Sequence, residues 1–247
     1  MSSLLGKLQK VGVLHTRGEF TLDVDKAGSK LSRFQFHDEA DFLFQMVAGL
    51  YRLGAQEVEV RTQAETLTIT LDPITLPAEM PAELDTCLLE EFSPWRRLAA
   101  ATQAILGHAP SRFEWLGKSK SQTYDYLTDE CNAWKSVQLR EIVVEGLKSA
   151  LLNRALERLG NAAVYRKHKL TINGNVPIVF PPDNCAIPGQ SGWCALDSSV
   201  PKAQLHLIVD QMCTDPKTLD LPIPWTGVVY WQGAHLRLDA SLASVVE

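Results

Sequence analysis

The fold of this chain is decided by residues 41–72, DFLFQMVAGLYRLGAQEVEVRTQAETLTITLD. In the first half, apolar residues recur at helical spacing, which predicts a helix that begins at Asp38 or Glu39 and ends at Gly54. In the second half, EVEVRT and ETLTITLD alternate apolar and polar residues on either side of Gln63–Ala64, which predicts an antiparallel hairpin. The residues expected to face inward are Val58, Val60, Leu67, Ile69 and Leu71.

Outward from this unit, periodicity predicts further elements. The predicted helices are Ser3–Lys10, Ala82–Glu91, Trp95–Leu106 and Leu147–Leu159. The predicted strands are residues 19–24, 111–117, 122–127, 137–144, 205–211 and 225–239. Residues 163–180 are predicted to form a second hairpin with Asn173–Gly174 at its turn, because Asn-Gly is the strongest short hairpin signal. Residues 181–201 are predicted to be a loop.

The composition is that of an ordinary globular protein, with 247 residues that are 45% hydrophobic and 21% charged. The formal net charge of −5 gives no global electrostatic reason to bind nucleic acid. No stretch approaches the roughly 20 apolar residues of a membrane helix, and the N-terminal segment lacks the pattern of a signal peptide. We therefore expect a cytoplasmic protein with free thiols and without membrane contacts.

The five cysteines do not form a tight framework. Cys185, Cys194, His206 and Cys213 could be combined into a zinc site, but the closely spaced cysteine pair that makes such an assignment strong is missing. We expect these thiols to be structural and predict no metal site. No Ser-His-Asp, Cys-His or paired-carboxylate arrangement is readable either, so we predict no catalytic residues.

Residues 42–60, FLFQMVAGLYRLGAQEVEV, resemble the GHKL (Bergerat) ATPase family, which includes MutL, the ninety-kilodalton heat-shock chaperones, type II topoisomerases and histidine kinases. In that family a helix carries an acid and, four positions later, an asparagine. A short run like Leu53-Gly54-Ala55 then leads into an alternating strand like Val58-Glu59-Val60. The next family strand ends in Asp-x-Gly-x-Gly, and LTITLDPITLP occupies that place here.

Matched position by position, most of the family's nucleotide-binding residues are replaced. The water-activating acid falls on Gln45, the magnesium-binding asparagine falls on Gly49, and the adenine-binding aspartate falls on Asp72. The two glycines fall on Ile74 and Leu76. An amide cannot act as a general base and a glycine has no side chain to bind magnesium. The resemblance therefore implies a degenerate nucleotide site in which only Asp72 is retained, and no bound cofactor.

The second half of the chain resembles, over residues 147–180, the transducer domain that follows the ATPase domain in MutL and the heat-shock chaperones. The resemblance implies an α+β protein: a degenerate GHKL-like α/β sandwich over residues 1–140, followed by a smaller transducer-like α/β domain over residues 141–247. It also implies that a homodimer is possible, since GHKL proteins often pair through their N-terminal segments.

Three features carry alternatives. The helix and hairpin also fit an α/β unit of an unrelated fold. Asp72 is interpreted as a relic, as a surviving ligand contact, or as a turn residue before Pro73. The aromatic residues Trp193, Trp225 and Trp231 concentrate near the C-terminus, where they fit either a partner-binding surface or a core.

The resulting expectation is a non-catalytic binding or scaffold protein that acts through a protein partner. The first alternative is a divergent ATPase, with ATP and magnesium as cofactors, that takes its acid from Glu39 or Asp41. The second is a nucleotide sensor that recognises adenine through Asp72 without hydrolysing the nucleotide.

Overall fold

The computed structural model describes residues 36, 38–77, 80–89, 93–119, 121–132, 137–162, 164–165, 167–180, 187–188, 192–196, 202–214, 216–219 and 227–232. The helices are α1 (Asp41–Arg52), α2 (Met80–Glu83), α3 (Arg96–Gly107) and α4 (Ser149–Asn161), and Leu84–Leu89 is a 3₁₀ helix. The predicted helix at residues 3–10 and the predicted strand at residues 19–24 lie outside the described residues.

The strands fall into two sheets. Those of the first are β1 (Glu57–Gln63), β2 (Thr66–Leu76), β3 (Arg112–Gly117), β4 (Thr123–Asp125), β5 (Glu130–Asn132), β6 (Val137–Glu145) and β8 (Lys169–Ile172). Those of the second are β7 (Val164–Tyr165), β9 (Val179–Phe180), β10 (Ile187–Pro188), β11 (Gly192–Leu196), β12 (Gln204–Val209), β13 (Met212–Cys213), β14 (Lys217–Thr218) and β15 (Gly227–Gln232).

The first sheet has the strand order β5-β4-β3-β6-β2-β1-β8. All neighbours are antiparallel except β1 and β8, which run parallel. Alternate residues of its strands share one core with the apolar faces of α1, α3 and α4, and α1 contacts both of the other helices. The sheet therefore has helices on one face, and the predicted α+β sandwich class is confirmed.

The predicted helix and hairpin at residues 41–72 are confirmed. Gly54, just after α1, has φ +105°, a conformation that glycine adopts without strain. The five residues predicted to face inward on β1 and β2 are all buried. The pairing of β2 with β6 shifts register between Thr70 and Ile74, so Asp72 and Pro73 lie in a bulge. A bulge tolerates a proline, which cannot donate to the ladder.

The second sheet has the order β10-β11-β15-β12-β13-β7-β9, with β14 paired to β12. The loop between β12 and β13 consists of Asp210 and Gln211, and both have positive φ, 50° and 67°. Positive φ at both central residues is the geometry of a two-residue type I′ hairpin turn. The turn carries the carboxylate of Asp210, whose side chain is 9% exposed.

Two predictions on the C-terminal side are wrong. Residues 163–180 do not form a hairpin: β7 pairs with β9 and β13, whereas β8 pairs with β1 of the first sheet. The Asn173–Gly174 turn does form, with a single bridge between Ile172 and Asn175. The turn signal is local, but the pairing of β8 is decided by burial of Leu170 in the core beside β1. The predicted loop at 181–201 contains strands β10 and β11.

The predicted domain boundary at about residue 140 falls within β6, which lies between β3 and β2 in the first sheet. Beyond it, α4 contacts α1, and β8 extends the first sheet. The division into residues 1–140 and 141–247 stays a prediction. Within the described part of the chain, no helix is long and apolar enough to cross a membrane.

Candidate functional site

Gln45, at the position of the family's acid, lies on the buried face of α1 and is 1% exposed. Its side-chain oxygen Oε1 accepts a hydrogen bond from Nη1 of Arg97 on α3. An amide oxygen that is removed from water in this way needs such a donor, because a buried unsatisfied acceptor is costly. This hydrogen bond of Gln45 therefore connects α1 to α3.

Arg97 is the centre of a network that reaches the second sheet. This arginine is 3% exposed, and its Nε donates to Oδ2 of Asp210 in the β12–β13 turn. Oδ1 of the same carboxylate accepts from Nη1 of Arg52, at the end of α1, at 3.0 Å. Burial lowers the pKa of Arg97 below its ordinary value, and the Asp210 carboxylate opposes this effect. The network joins α1, α3 and a turn more than a hundred residues away in sequence.

Gly49, which the resemblance matches to the family's magnesium-binding asparagine, lies one helical turn after Gln45 and also faces α3. A Cβ added to Gly49 would lie 2.9 Å from Cγ and Cδ2 of Leu98 and 3.2 Å from the Leu98 backbone nitrogen. The two helices therefore approach so closely that only a glycine fits at this point. The space beside Gly49 is filled by the leucine.

The carboxylate of Asp72, which the resemblance matches to the family's adenine-binding aspartate, accepts hydrogen bonds from backbone amides. Its Oδ1 accepts from the amides of Gln56 and Glu57, at 2.8 and 2.9 Å. These two amides precede and begin β1, so the carboxylate acts as a cap on that strand. Ile74 and Leu76, at the positions of the family's glycines, are 5% and 0% exposed and belong to the core.

A shallow pocket lies beside Asp72 among the polar residues of β1, β2, β6 and β8. It has a volume of about 510 Å³. The charged and hydroxyl side chains that line it include Glu57, Glu59, Asp72, Arg140, Lys169 and Thr171. The Lys169 ammonium lies 3.3 Å from the Glu57 carboxylate, and both side chains are exposed. Opposite charges thus already partner each other within the pocket.

Tyr51 and His168 lie near the same aspartate. The Tyr51 hydroxyl donates to the backbone oxygen of Lys169 at 3.1 Å, and the two rings meet edge to face with centroids 5.1 Å apart. Burial, reinforced by the Asp72 charge, raises the pKa of Tyr51. Burial and the neighbouring Lys167 lower the pKa of His168, which Asp72 partly opposes. Tyr51 therefore stays a neutral hydrogen-bond donor.

The remaining predicted residues are placed as follows. Trp193 on β11 is opposite Tyr230 on β15, and Trp231 is opposite Gly192, so the two tryptophans belong to neighbouring strands. Trp225 lies outside the described residues, and the role of this group in binding a partner stays a prediction. Of the alternative acids, Glu39 is exposed, and Asp41 is 5% exposed with its carboxylate bonded to Nε of Arg158.

The cysteines and histidines of the imagined zinc site do not all fall within the described residues. Cys185 lies outside them, and Cys213 on β13 is buried. Among the described residues, no group of three or more His, Cys, Asp or Glu side chains is arranged to hold a metal ion.

Sequence reasoning missed Arg97 and Asp210. One signal for Arg97 was available: it lies beside Leu98 and within one turn of Ala101 on the buried face of α3, and a charged residue on an apolar face needs a partner. No pattern in the sequence pointed to Asp210, since its role depends on where the β12–β13 turn lies in three dimensions.

Comparison with known proteins adds one structural similarity. No protein-family model matches the sequence, and no curated protein matches it. Among solved structures, the chain is similar to the ATPase domain of the mismatch repair endonuclease MutL from the bacterium Aquifex aeolicus. The two share 10% sequence identity over 81% of this chain and 90% of that one, with a TM-score of 0.43. At that identity and TM-score, the similarity assigns neither a family nor an activity to this chain.

Proposed function

We propose that this chain is a non-catalytic binding or scaffold protein that acts through a protein partner. The observation that carries the proposal is the bond between Gln45 and Arg97. If the chain derives from an ATPase of the GHKL kind, the position of the water-activating acid now holds a neutral amide whose oxygen is occupied by a buried guanidinium. Neither group can take a proton from water at neutral pH.

The packing at Gly49 supports the same proposal. Magnesium needs oxygen ligands and keeps several waters around it. Beside Gly49 the structure has the side chain of Leu98 in van der Waals contact instead. An apolar side chain in that position offers no ligand and leaves no room for a hydrated ion.

The partner surface belongs to the second sheet under this proposal. Trp193 and Trp231 lie on its neighbouring strands, and tryptophan is enriched among residues that dominate binding energy. Close by in sequence to β9, Val176 and Ile178 are exposed by 62% and 56%. Exposed apolar side chains of this size are consistent with a surface that a protein partner covers.

Calorimetric titration of the purified protein with ATP, with and without magnesium, tests the loss of catalysis. We expect no saturable heat at millimolar ATP and no magnesium-dependent hydrolysis. The Gln45→Glu variant is tested beside the wild-type protein because it places a carboxylate at this position. Arg97 would neutralise the charge of that carboxylate, so we expect no hydrolysis from this variant either. Magnesium-dependent hydrolysis by the wild-type protein that disappears in Asp72→Asn would overturn the proposal.

A nucleotide sensor is the second candidate function, and the open pocket beside Asp72 is the observation that favours it. ATP bound there would be recognised through residues on β2 and β6. Saturable ATP binding by the wild-type protein that is weakened in Arg140→Gln, which changes a pocket residue, would favour this candidate. An Arg154→Gln variant, which changes an exposed arginine that pairs with Asp38 and lies outside the pocket lining, is the matched control.

A further inference from the structure

Two arginines bond to a single carboxylate at the junction of α1, α3 and the β12–β13 turn. Asp210 accepts from Arg52 and from Arg97, and its side chain is 9% exposed. Burial is the main cause that lowers the pKa of Arg97, and the charges of Arg52 and of Arg96, which precedes Arg97 on α3, lower it further. The positive charge at this junction exceeds what one carboxylate balances.

The guanidinium of Arg97 is only partly satisfied. Nε donates to Asp210 and Nη1 donates to Gln45, but Nη2 is buried and, among the residues that the structure describes, has no hydrogen-bond partner. The guanidinium is planar, with its donors fixed in a fork, so Nη2 lies in the same plane as the two donors already in use. A buried charged donor without an acceptor is costly. The site is therefore built to hold more acceptor oxygen than Asp210 supplies.

Each oxygen of the Asp210 carboxylate already accepts a hydrogen bond from an arginine. Oδ1 is used by Arg52 and Oδ2 by Nε of Arg97. Its backbone has φ +50°, in a two-residue turn, which an aspartate tolerates better than most residues. In place of Asp210, a group with three or four oxygens in a tetrahedral arrangement could bond Arg52 together with Nε and Nη2 of Arg97.

The start of α3 adds to the positive potential. Its N-cap residue Trp95 makes no side-chain capping bond, and the first turn carries no acidic residue but two arginines. Helix N-termini favour anions, so cations there are unfavourable unless an anion compensates them. Asp210 is the compensating anion that the structure records.

We propose that Asp210 occupies, within its own chain, an anion site formed by Arg52 and Arg97, and that a phosphate-class dianion binds this site when the β12–β13 turn withdraws. The Asp210 carboxylate of the turn then competes with the dianion for Arg52 and Arg97. Because Arg52 is the more exposed of the two arginines, with a side chain 39% exposed, the dianion enters from its side. This inference goes beyond the proposed function, since it concerns neither hydrolysis nor the surface for a protein partner.

Thermal unfolding of Asp210→Gly in inorganic phosphate tests the proposal, with sodium chloride at matched ionic strength as the reference. Glycine keeps the positive φ of the turn and removes the competing carboxylate. We expect phosphate to raise the midpoint of Asp210→Gly saturably, with an apparent affinity about tenfold or more above that of the wild-type protein, because a competitor lowers the competent fraction. The double variant Asp210→Gly/Arg52→Gln should lose this effect, whereas Asp210→Gly/Arg61→Gln should keep it.

A second variant covers the case in which Asp210→Gly does not fold. Asp210→Asn keeps an acceptor in the turn, removes the negative charge, and should show the same ordering of phosphate affinity over the wild type. Equal phosphate dependence of wild type and variants, or equal loss in the Arg52 and Arg61 double variants, would overturn the proposal.

Titration of the same variants with ATP without magnesium separates the source of the dianion. Binding no tighter than phosphate assigns the site to a free phosphate, and tighter binding assigns it to a phosphate ester. This outcome is independent of wild-type ATP hydrolysis, which tests the proposed function.

Discussion

Gly49 shows how a single missing Cβ sets the distance between two helices. Glycine within a helix costs about 1 kcal/mol relative to alanine. At position 49 the absence of a side chain lets α1 pack closely against Leu98, because an added Cβ would lie 2.9 Å from that leucine side chain. Such a distance is too short for real carbon contacts, so the Leu98 side chain or the helix that carries it would have to shift. The close packing of α1 on α3 at this point thus depends on the absence of a side chain at position 49.

Gly49→Ala is therefore expected to lower the free energy of unfolding by about 1–3 kcal/mol, as overpacking in a core does. Gly160→Ala is the matched control: Gly160 is also within a helix, and a Cβ there would meet nothing within 4 Å. The control should gain up to about 1 kcal/mol from helix propensity. Urea denaturation of both variants measures the difference. A Gly49→Ala variant as stable as Gly160→Ala would contradict the packing described here.

His168 gives a dependence on pH. Its pKa is lowered in the folded state, chiefly by burial, from an ordinary value of 6.5. The unfolded chain therefore binds the proton more readily as the pH falls through 6.5. The contribution of His168 to stability is fully present above pH 6.5 and is lost progressively below it, towards the lowered folded-state pKa.

His168→Phe should flatten this dependence, since phenylalanine keeps the ring contact with Tyr51 and does not titrate. The measurement is the free energy of unfolding of wild type and variant at pH 7.5 and 5.5. We expect the wild-type protein to lose more stability over this interval than the variant. Equal losses would show that His168 does not contribute.

At the scale of elements, Arg154 and Arg158 of helix α4 form ion pairs with Asp38 and Asp41 at the start of α1, and Arg158 also lies 4.0 Å from Asp38. Arg158 bonds to Asp41, which is 5% exposed, and Arg154 bonds to Asp38, which is 28% exposed. Burial raises the pKa of Asp41, whereas the Ala40 amide and Arg154 more than offset burial at Asp38 and lower its pKa. The buried pair carries the greater cost if it is broken.

Arg158→Met should consequently destabilise the protein more than Arg154→Met. Removing Arg158 leaves the buried Asp41 carboxylate with less compensating positive charge, which we expect to lower the free energy of unfolding by about 1–2 kcal/mol. The loss is no larger because Arg158 itself is partly exposed. Removing Arg154 breaks a more exposed pair worth less than about 1 kcal/mol. Chemical denaturation of both variants checks the order, and the reverse order would contradict it.

At the scale of the whole molecule, elements from both sides of the predicted boundary at residue 140 belong to the first sheet. Strand β6 ends at Glu145 and lies inside the first sheet, and β8 returns to pair with β1 at the edge of that sheet. Between them α4 covers part of α1. A fragment that ends at residue 140 would leave the apolar faces of α1 and β1 exposed.

We expect the fragment of residues 1–140 not to fold, because it truncates β6 and lacks α4 and β8. The fragment of residues 1–175 retains all three and should show a larger dispersion of amide resonances in NMR. A well-dispersed spectrum from residues 1–140 would support the predicted boundary and contradict this expectation.

The sequence by itself determined α1 and the β1–β2 hairpin. The reason is physical: both patterns are local, since helix and strand periods depend only on which neighbouring side chains share a face. The same reasoning located α3, β3 and β6. It also placed Gln45 and Gly49 on one face of α1.

Tertiary structure alone decided what those positions contact and where the later strands pair. Arg97 satisfies Gln45, Leu98 fills the space beside Gly49, and Asp210 closes the network. The pairing of β8 with β1, instead of with the strand across its own Asn-Gly turn, was decided in the same way. These partners are distant in sequence, and burial selects them only after the layers have packed, because the cost of an unsatisfied buried group depends on everything around it.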